Sequence, residues 1–277
     1  MRTVDEKRRA FRALHERACF VIPNPWDVGS ARWLQHLGFA ALATTSAGVA
    51  FARGIPDASL TRAMVLEHLR SVADAVDLPV NADFQAGYGA TAAEVAESVR
   101  LAVETGIAGL SIEDATGEAA APLFPLDGAV ARISAARRAI DAAGGGVLLT
   151  GRSEGFVSGR PELGETLRRL QAYSAAGADV LYAPGLPRDA IATAVAAVAP
   201  KPLNVLVAGE GLDVADLAAL GVRRVSLGST LARVAFTAFA RSAEEILRTG
   251  RFGSFAGLTS YATLDAFFRD EAARRGR

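Results

Sequence analysis

The stretch of this sequence best suited to chemistry is Leu78-Pro79-Val80-Asn81-Ala82-Asp83-Phe84-Gln85-Ala86-Gly87-Tyr88-Gly89. A short apolar run of strand type stops at a carboxylate. A glycine-bearing loop then leads into Thr91-Ala92-Ala93-Glu94, in which Thr and Glu have the spacing of a helix-capping box. Strand, acid, loop and helix in that order is how a barrel enzyme presents a metal ligand. Taken alone, the segment equally describes an acid that caps a turn. The layout recurs, however: Ser46-Ala47-Gly48, Asp57, Glu113, Asp114, Arg152, Glu154, Tyr182, Asn204 and Ser229 likewise follow apolar runs, so several acids and one arginine would converge from different strands.

The other reactive side chains fall elsewhere. His15, His36 and His68 lie in helical patterns, Lys201 sits between Pro200 and Pro202 ahead of an apolar run, and Cys19 also precedes one. A His-ligated zinc, a His general base and a Schiff-base lysine are therefore not expected, and Cys19 reads as a small buried apolar residue. What is left is carboxylates, arginine, hydroxyls and backbone amides. Such a set suits a hard cation, Mg2+ with Mn2+ as the alternative, held through one or two carboxylates plus water and the substrate's own oxygens. A 2-oxo acid could chelate that ion. The ion, Arg152 and the amides around Gly48 would then stabilise an enolate oxygen as a bond beside the carbonyl breaks. Tyr88 and Tyr182 are the hydroxyls near the strand ends that could carry a proton.

Composition bounds the partners. Lys+Arg 30 against Asp+Glu 30 leaves no net charge, so the electrostatic footprint of a nucleic-acid or anionic-membrane binder is missing. A small-molecule carboxylate is the expected partner. One cysteine excludes an intramolecular disulfide, the charged segment Met1 to Glu16 has no signal-type apolar core, and no later run has the character of a membrane span. The expectation is a soluble cytoplasmic protein.

The elements that must position these residues alternate along the chain. After an N-terminal helix (Asp5 to Arg17), strands are expected at Cys19 to Ile22, Phe39 to Thr44, Leu78 to Asp83, Gly109 to Ile112, Val147 to Arg152, Asp179 to Tyr182, Pro202 to Leu206 and Arg224 to Leu227, each followed by a helical pattern. Thr45 to Asp57 reads as a long loop. Eight such units make a (β/α)8 TIM barrel, an α/β fold, with an open doubly wound sheet as the alternative. The whole chain, 1–277, is expected as a single barrel domain with 229–277 as a C-terminal helical extension. Leu231, Val234, Ala235, Phe236, Phe239 and the later Phe252, Phe255, Leu258, Leu264, Phe267 and Phe268 offer more apolar surface than one barrel exterior needs, so a homo-oligomer is expected.

At these residues the sequence resembles the isocitrate lyase and phosphoenolpyruvate mutase superfamily, over about Val21 to Arg233. The resemblance rests on ordered pieces: Thr45-Ser46-Ala47-Gly48, Gly54-Ile55-Pro56-Asp57, Asn81-Ala82-Asp83 with Gly87-Tyr88-Gly89, Ile112-Glu113-Asp114, Gly151-Arg152-Ser153-Glu154, and Gly177-Ala178-Asp179. It implies a Mg2+-dependent enzyme on 2-oxo or 2-hydroxy acids that breaks or forms C-C or P-C bonds. It also implies a homo-oligomer, dimer or more usually tetramer, in which the last barrel helix is exchanged between paired subunits. Carried over by residue, Ser46, Ala47 and Gly48 correspond to the substrate-carboxylate and oxyanion site, Asp83 to the principal metal carboxylate, Asp57 and Glu113 to acids holding metal-bound waters, and Arg152 to the substrate arginine. Asn204 remains as a polar substrate contact.

The departures narrow the reading. Asn81 stands where the superfamily's Asp-x-Asp pattern has its first acid, which removes one charge from the metal site. Phe84-Gln85-Ala86 makes a longer loop than the usual Asp-Thr-Gly. The gating segment Ala115 to Gly128 contains no Cys, Lys or His, which speaks against the isocitrate and methylisocitrate lyases, and it lacks the Lys and Asn-Ser of the mutases and phosphonopyruvate hydrolases. The expectation is a Mg2+-dependent C-C lyase or decarboxylase. The alternatives are a P-C bond enzyme, or a non-catalytic barrel binding a carboxylate or phosphate at the helix after Gly228-Ser229-Thr230.

Overall fold

The computed structural model of the chain describes residues 2–276. Eight parallel strands, β1 (Phe20–Ile22), β2 (Leu42–Ala43), β3 (Val80–Asp83), β4 (Gly109–Glu113), β5 (Leu148–Arg152), β6 (Val180–Tyr182), β7 (Leu203–Leu206) and β8 (Arg224–Ser226), adjoin in the order β1-β8-β7-β6-β5-β4-β3-β2. β1 and β2 end this order. They are drawn together where the Ala43 N–H donates to Pro23 O at 3.0 Å and the Asn24 amide to Thr44 O at 2.9 Å, while Asn24 Oδ1 accepts from Leu227 N–H beyond β8. The sheet is thus a nearly closed (β/α)8 barrel, and each strand is followed by a helix.

Alternation along the strands sorts the side chains into two environments. Leu42, Val80, Ala82, Leu110, Ile112, Leu149, Leu181, Leu203, Val205 and Val225 are buried and apolar, and most of them belong to one continuous core with residues of the surrounding helices, such as Val95, Val99, Ile133 and Leu170. The opposite set points into the barrel and is largely polar: Asn81, Ser111, Thr150, Asn204, Arg224 and Ser226 are all buried. Branched apolar layers usually fill such an interior; here a polar interior takes their place.

The N-terminal helix, Val4–His15, starts with a capping box between Thr3 and Glu6. Its Lys7 is buried and donates to Ala73 O and Val76 O at the end of helix Arg62–Ala75, where the helix dipole favours a cation. Phe11 is fully buried against Ile22, Ala41, Ala43, Ala108 and Leu148, so this helix plugs the N-terminal mouth of the barrel. Gly109 permits that fit, because a Cβ there would lie 2.6 Å from both Phe11 Cε1 and Asn81 Oδ1.

One expected element is corrected. Thr45 to Asp57 is mostly helix, Ser46–Ala52, with Thr45 as its N-cap and a 3-10 turn at Asp57–Ser59. Gly48 and Gly54 gave the segment a loop-like composition, but Gly48, Val49 and Ala50 are buried, and tertiary packing outweighs a weak local preference in so short a helix.

Residues from Thr230 onward form a compact unit of their own, separate from 2–229. It comprises helices Thr230–Thr249 and Tyr261–Arg274, and Glu245 accepts from Gly253 N–H and Ser254 N–H to fix the turn between them. Val234, Phe239, Leu247, Phe252, Leu258 and Tyr261 on this unit are exposed. Among the described residues no helix is long and apolar enough to cross a membrane.

His68, on helix Arg62–Ala75, carries a buried Nε2 without a hydrogen-bond partner. Burial first, and then Arg53, pushes its pKa down to about 4. The folded state therefore holds His68 neutral while the unfolded chain protonates it below about 6.5. Its contribution to stability is complete above about 6.5 and is lost as the pH falls towards 4. In urea titrations across that interval, wild-type stability should decline with falling pH more steeply than that of His68→Leu, by up to about 1.4 kcal/mol per pH unit. Parallel pH profiles would show that His68 is not held neutral.

Candidate active site

The carboxyl ends of β3, β4 and β5 bring together the residues of greatest chemical interest. Across the ladder Glu113 lies opposite Arg152, and Asp83 opposite Ser111, so the three charged side chains share one face at the rim. Arg152 Nη1 stands 3.2 Å from Glu113 Oε2 and 3.4 Å from Asp83 Oδ1, while its Nε donates to Glu154 Oε1. The Tyr182 ring lies 5.1 Å from the guanidinium carbon, a cation–π distance. One guanidinium thus serves three acids.

The loops fix this geometry. Thr44 Oγ1 accepts from Asp83 N–H at 2.9 Å, and Asp83 Oδ2 accepts from Ser46 N–H at 2.8 Å, which joins the first turn of helix Ser46–Ala52 to the acid. Gly48 N–H is taken by the Thr45 cap. Gln85 and Tyr88 are the non-glycine residues at positive φ among those described, 43° and 51°, and such strain is tolerated only where the surroundings enforce it. At Gln85 the reward is visible: its carbonyl accepts from Glu113 N–H and its amide donates to Asp57 Oδ1 at 3.1 Å, linking two acids of the site. Between them Gly87 adopts φ 91° and passes so close to helix Ala92–Val103 that a Cβ would meet Val95 Cγ1 at 2.8 Å.

Electrostatics follow from this crowding. Burial raises the Glu113 carboxyl well above the usual range; Arg152 opposes the shift, and Glu154, Asp83 and Asp57 reinforce it. Burial and then the Asp83 charge also raise Asp57, against hydrogen bonds from Ser46 and Gln85. Burial likewise raises Glu154. Although burial works against its charge, Arg152 is held firmly protonated by Glu113 and Glu154. The Tyr88 hydroxyl is buried without a partner, and burial together with Asp83, Asp57 and Glu113 keeps it neutral. Four carboxyl groups around one guanidinium, three of them with raised pKa values, offer oxygen donors only, and a bound cation would favour their ionised forms. That donor set fits a hard divalent cation. Among the described residues no three such side chains are gathered closely enough to ligate an ion by themselves, so water would supply much of its shell, as Mg2+ tolerates.

The expected site residues divide accordingly. Ser46, Asp57, Asp83, Glu113 and Arg152 converge at the rim, with Ala47 and Gly48 in the adjoining helical turn. Asn81 lies two residues below Asp83 on the same face, donating to Ala82 O, and stands beneath the acids instead of among them. Asn204 is also deeper, bonded to Arg224 and Ser226. Asp114, grouped with the rim acids in the sequence reading, is turned away from them. Its buried carboxylate accepts from Arg169 Nη1 at 3.0 Å, Tyr173 OH at 2.5 Å and Glu154 N–H at 2.7 Å. Glu154 and Gln85 take larger parts than the sequence assigned them.

Comparison with known proteins identifies the family. The family profile described as Phosphoenolpyruvate phosphomutase matches residues 11–247. The chain belongs to this family. Within the wider isocitrate lyase/phosphoenolpyruvate mutase superfamily it is 32% identical over 265 residues to an oxaloacetate decarboxylase of Bradyrhizobium diazoefficiens, covering 87% of each chain. A crystal structure of a lyase/mutase candidate from Burkholderia cenocepacia J2315 superposes with a TM-score of 0.94 at 46% identity, over 96% of this chain and 97% of the other. A phosphonopyruvate hydrolase solved with oxalate and Mg2+ gives a TM-score of 0.85 at 28% identity, over 97% and 96%.

In this superfamily member the Asp114 cluster holds the site from behind. Arg169 also donates to Phe124 O, and Phe124 N–H to Asp114 O, so one buried ion pair ties the loop after β4 to Glu154. Asp114→Ala should lower unfolding free energy by about 3–5 kcal/mol, the cost of leaving a buried charge alone. Glu97→Ala, which removes an exposed partner of Arg100, should leave stability essentially unchanged, because solvent screens that pair. Equal effects in chemical denaturation would show that the Asp114 cluster is not the stronger anchor.

Proposed function

We propose that the chain is a Mg2+-dependent carbon–carbon lyase or decarboxylase acting on a small 2-oxo or 2-hydroxy carboxylic acid. The observation that carries this reading is the charge balance at the rim, where Asp57, Asp83, Glu113 and Glu154 meet Arg152 alone. The likeness to an oxaloacetate decarboxylase, and to a phosphonopyruvate hydrolase crystallised with oxalate and Mg2+, supports it.

Asp83 would hold the cation directly, with Asp57 and Glu113 reaching it through water. Bound there, it would supply Lewis-acid stabilisation of negative charge on a substrate oxygen. The chain's own groups do the rest. Ser46, Ala47 and Gly48 at the start of a helix present backbone amides to the substrate carboxylate; in this structure Asp83 and Thr45 take those of Ser46 and Gly48. Arg152 orients the acid and stays charged throughout, because Glu113 and Glu154 flank it. In a 2-oxo acid the bond that breaks runs from the carbon next to the carbonyl to its outer substituent; its electron pair passes through that carbon to the carbonyl oxygen as an enolate, and the substituent leaves as CO2 or, having given up its hydroxyl proton, as a carbonyl compound. A proton must then return to carbon. Tyr88, buried and unpartnered beside the rim acids, is the hydroxyl placed to return it, its raised pKa keeping the proton in place until the strongly basic enolate forms.

The exposed apolar residues of the unit after Ser229 point to a homo-oligomer, dimer or tetramer. Light scattering of the full chain should give a mass of at least two copies, and a monodisperse monomer would count against it. For the chemistry, 2-oxo and 2-hydroxy acids assayed for CO2 or carbonyl products should be consumed with Mg2+ and spared with chelator. Asp83→Ala should keep the fold, lose turnover and bind Mg2+ more weakly by at least roughly the ten- to hundredfold typical of disturbed metal shells. Calorimetric titration giving wild-type Mg2+ affinity in Asp83→Ala would place the metal elsewhere and sink this mechanism.

A further inference from the structure

Arg132, on helix Leu126–Ala142, is a buried cation outside the cluster of rim charges. Its Nη1 donates to Ala86 O at 3.1 Å and to Gly89 O at 2.8 Å, and its Nη2 donates to Ala90 O at 2.8 Å. These carbonyls bracket Tyr88 in the loop after β3. The guanidinium carbon also lies 4.0 Å from the centre of the Phe124 ring, a cation–π distance. Phe124 belongs to the loop after β4, where its N–H donates to Asp114 O and its carbonyl accepts from Arg169. One side chain thus grips two rim loops.

Burial works against the charge of Arg132, and among the described residues its hydrogen-bond acceptors are carbonyls only. Arg152 and Arg169, by contrast, have carboxylates beside them. Carbonyls satisfy N–H groups without neutralising them, and a buried cation compensated in that way gains little net stability. Its contacts serve geometry instead.

The loop that it grips is strained. Tyr88 has a φ of 51°, and Gly89 passes so close to helix Ala92–Val103 that a Cβ there would lie 2.6 Å from Val95 N. Left-handed backbone at a tyrosine persists only where the surroundings enforce it. Within the loop, Gly87 N–H donates to Phe84 O. From outside, Ser98 Oγ donates to Tyr88 O at 3.1 Å, and Arg132 takes the carbonyls on either side. The backbone so fixed sets the Tyr88 ring edge-on to Phe84, with centroids 5.1 Å apart, and leaves its hydroxyl buried and unpartnered in the field of Asp83, Asp57 and Glu113.

We propose that Arg132 is a positioning residue for Tyr88: by drawing in the carbonyls on both sides, its guanidinium imposes the left-handed turn that buries the phenol beside the rim acids. The proposal rests on the reading above in which Tyr88 returns the proton. Phe124 covers the guanidinium, so the loops after β3 and β4 share one clamp. The planar fork is what the task requires, because a single ammonium cannot reach three carbonyls in that arrangement.

Alkaline ultraviolet titration of the full chain, below the pH at which it unfolds, counts ionising phenols and needs no substrate. Compared with wild type, Arg132→Gln should gain one phenol that ionises near the ordinary tyrosine value of about 10, because the freed loop lets water reach Tyr88. The gain should vanish in the double variant Arg132→Gln/Tyr88→Phe. Arg132→Lys should show part of it, and decides the matter if the neutral variant does not fold. With a 2-oxo acid that wild type consumes, Arg132→Gln should lower kcat about tenfold or more while KM and Mg2+ affinity stay unchanged, whereas a merely structural defect would move all three. Added to Tyr88→Phe, it should cost little more. A folded Arg132 variant with the wild-type phenol count overturns the clamp. Full turnover in Tyr88→Phe defeats the proton-return reading alone.

Discussion

Arg152 sets the constraint under which the rest of the barrel operates, because a single buried guanidinium must hold carboxylates delivered by separate strands. The register across β4 and β5 places Glu113 opposite it, and the ladder between β3 and β4 brings Asp83 to the same rim. A slip of one residue in β5 would turn Arg152 to the helical shell and leave Glu113, Asp83 and Glu154 together without a cation. The apolar face of β5 makes that slip costly, since Leu149 lies in the continuous core between sheet and helices. Packing in the shell therefore keeps the charges in the interior aligned, although the two sets of residues face opposite ways.

Around that centre the loops act as braces. Helix Ser46–Ala52 gives an amide to Asp83, the strained turn at Gln85 ties Asp57 to Glu113, and the buried Asp114 cluster holds Glu154 from the far side. Each brace is a polar contact removed from water, where hydrogen bonds are stronger and a missing partner is more expensive. The acids are thus held at separations they would not choose. Burial first, and then the neighbouring carboxylates, raise the pKa values of Asp57 and Glu113.

The sequence made the barrel legible because strand and helix alternated at regular intervals, and it located Asp83, Glu113 and Arg152 because each ends an apolar run. It misled where local composition and tertiary context disagree. Gly48 and Gly54 look like loop residues, yet burial of Val49 and Ala50 makes a helix. Asp114 follows Glu113 by one residue, so strand alternation already sends its side chain to the opposite face; applying that rule would have removed it from the rim. The same rule, applied to Arg224-Val225-Ser226 and to Thr150, would have shown polar side chains entering the barrel. No local signal in the chain announces that Arg224 lacks a carboxylate, because that depends on what seven other strands bring to its neighbourhood.

The two arginines divide the interior along its axis. At the rim, carboxylates outnumber the guanidinium; at the floor, a guanidinium meets only neutral groups, including a histidine whose pKa burial pushes down to about 3. Closed off below by Phe11 and the N-terminal helix, the floor cannot draw on bulk water to screen its charge. That contrast belongs to the folded chain itself, since it arises from the depths at which β3, β4, β5 and β8 set their charged residues.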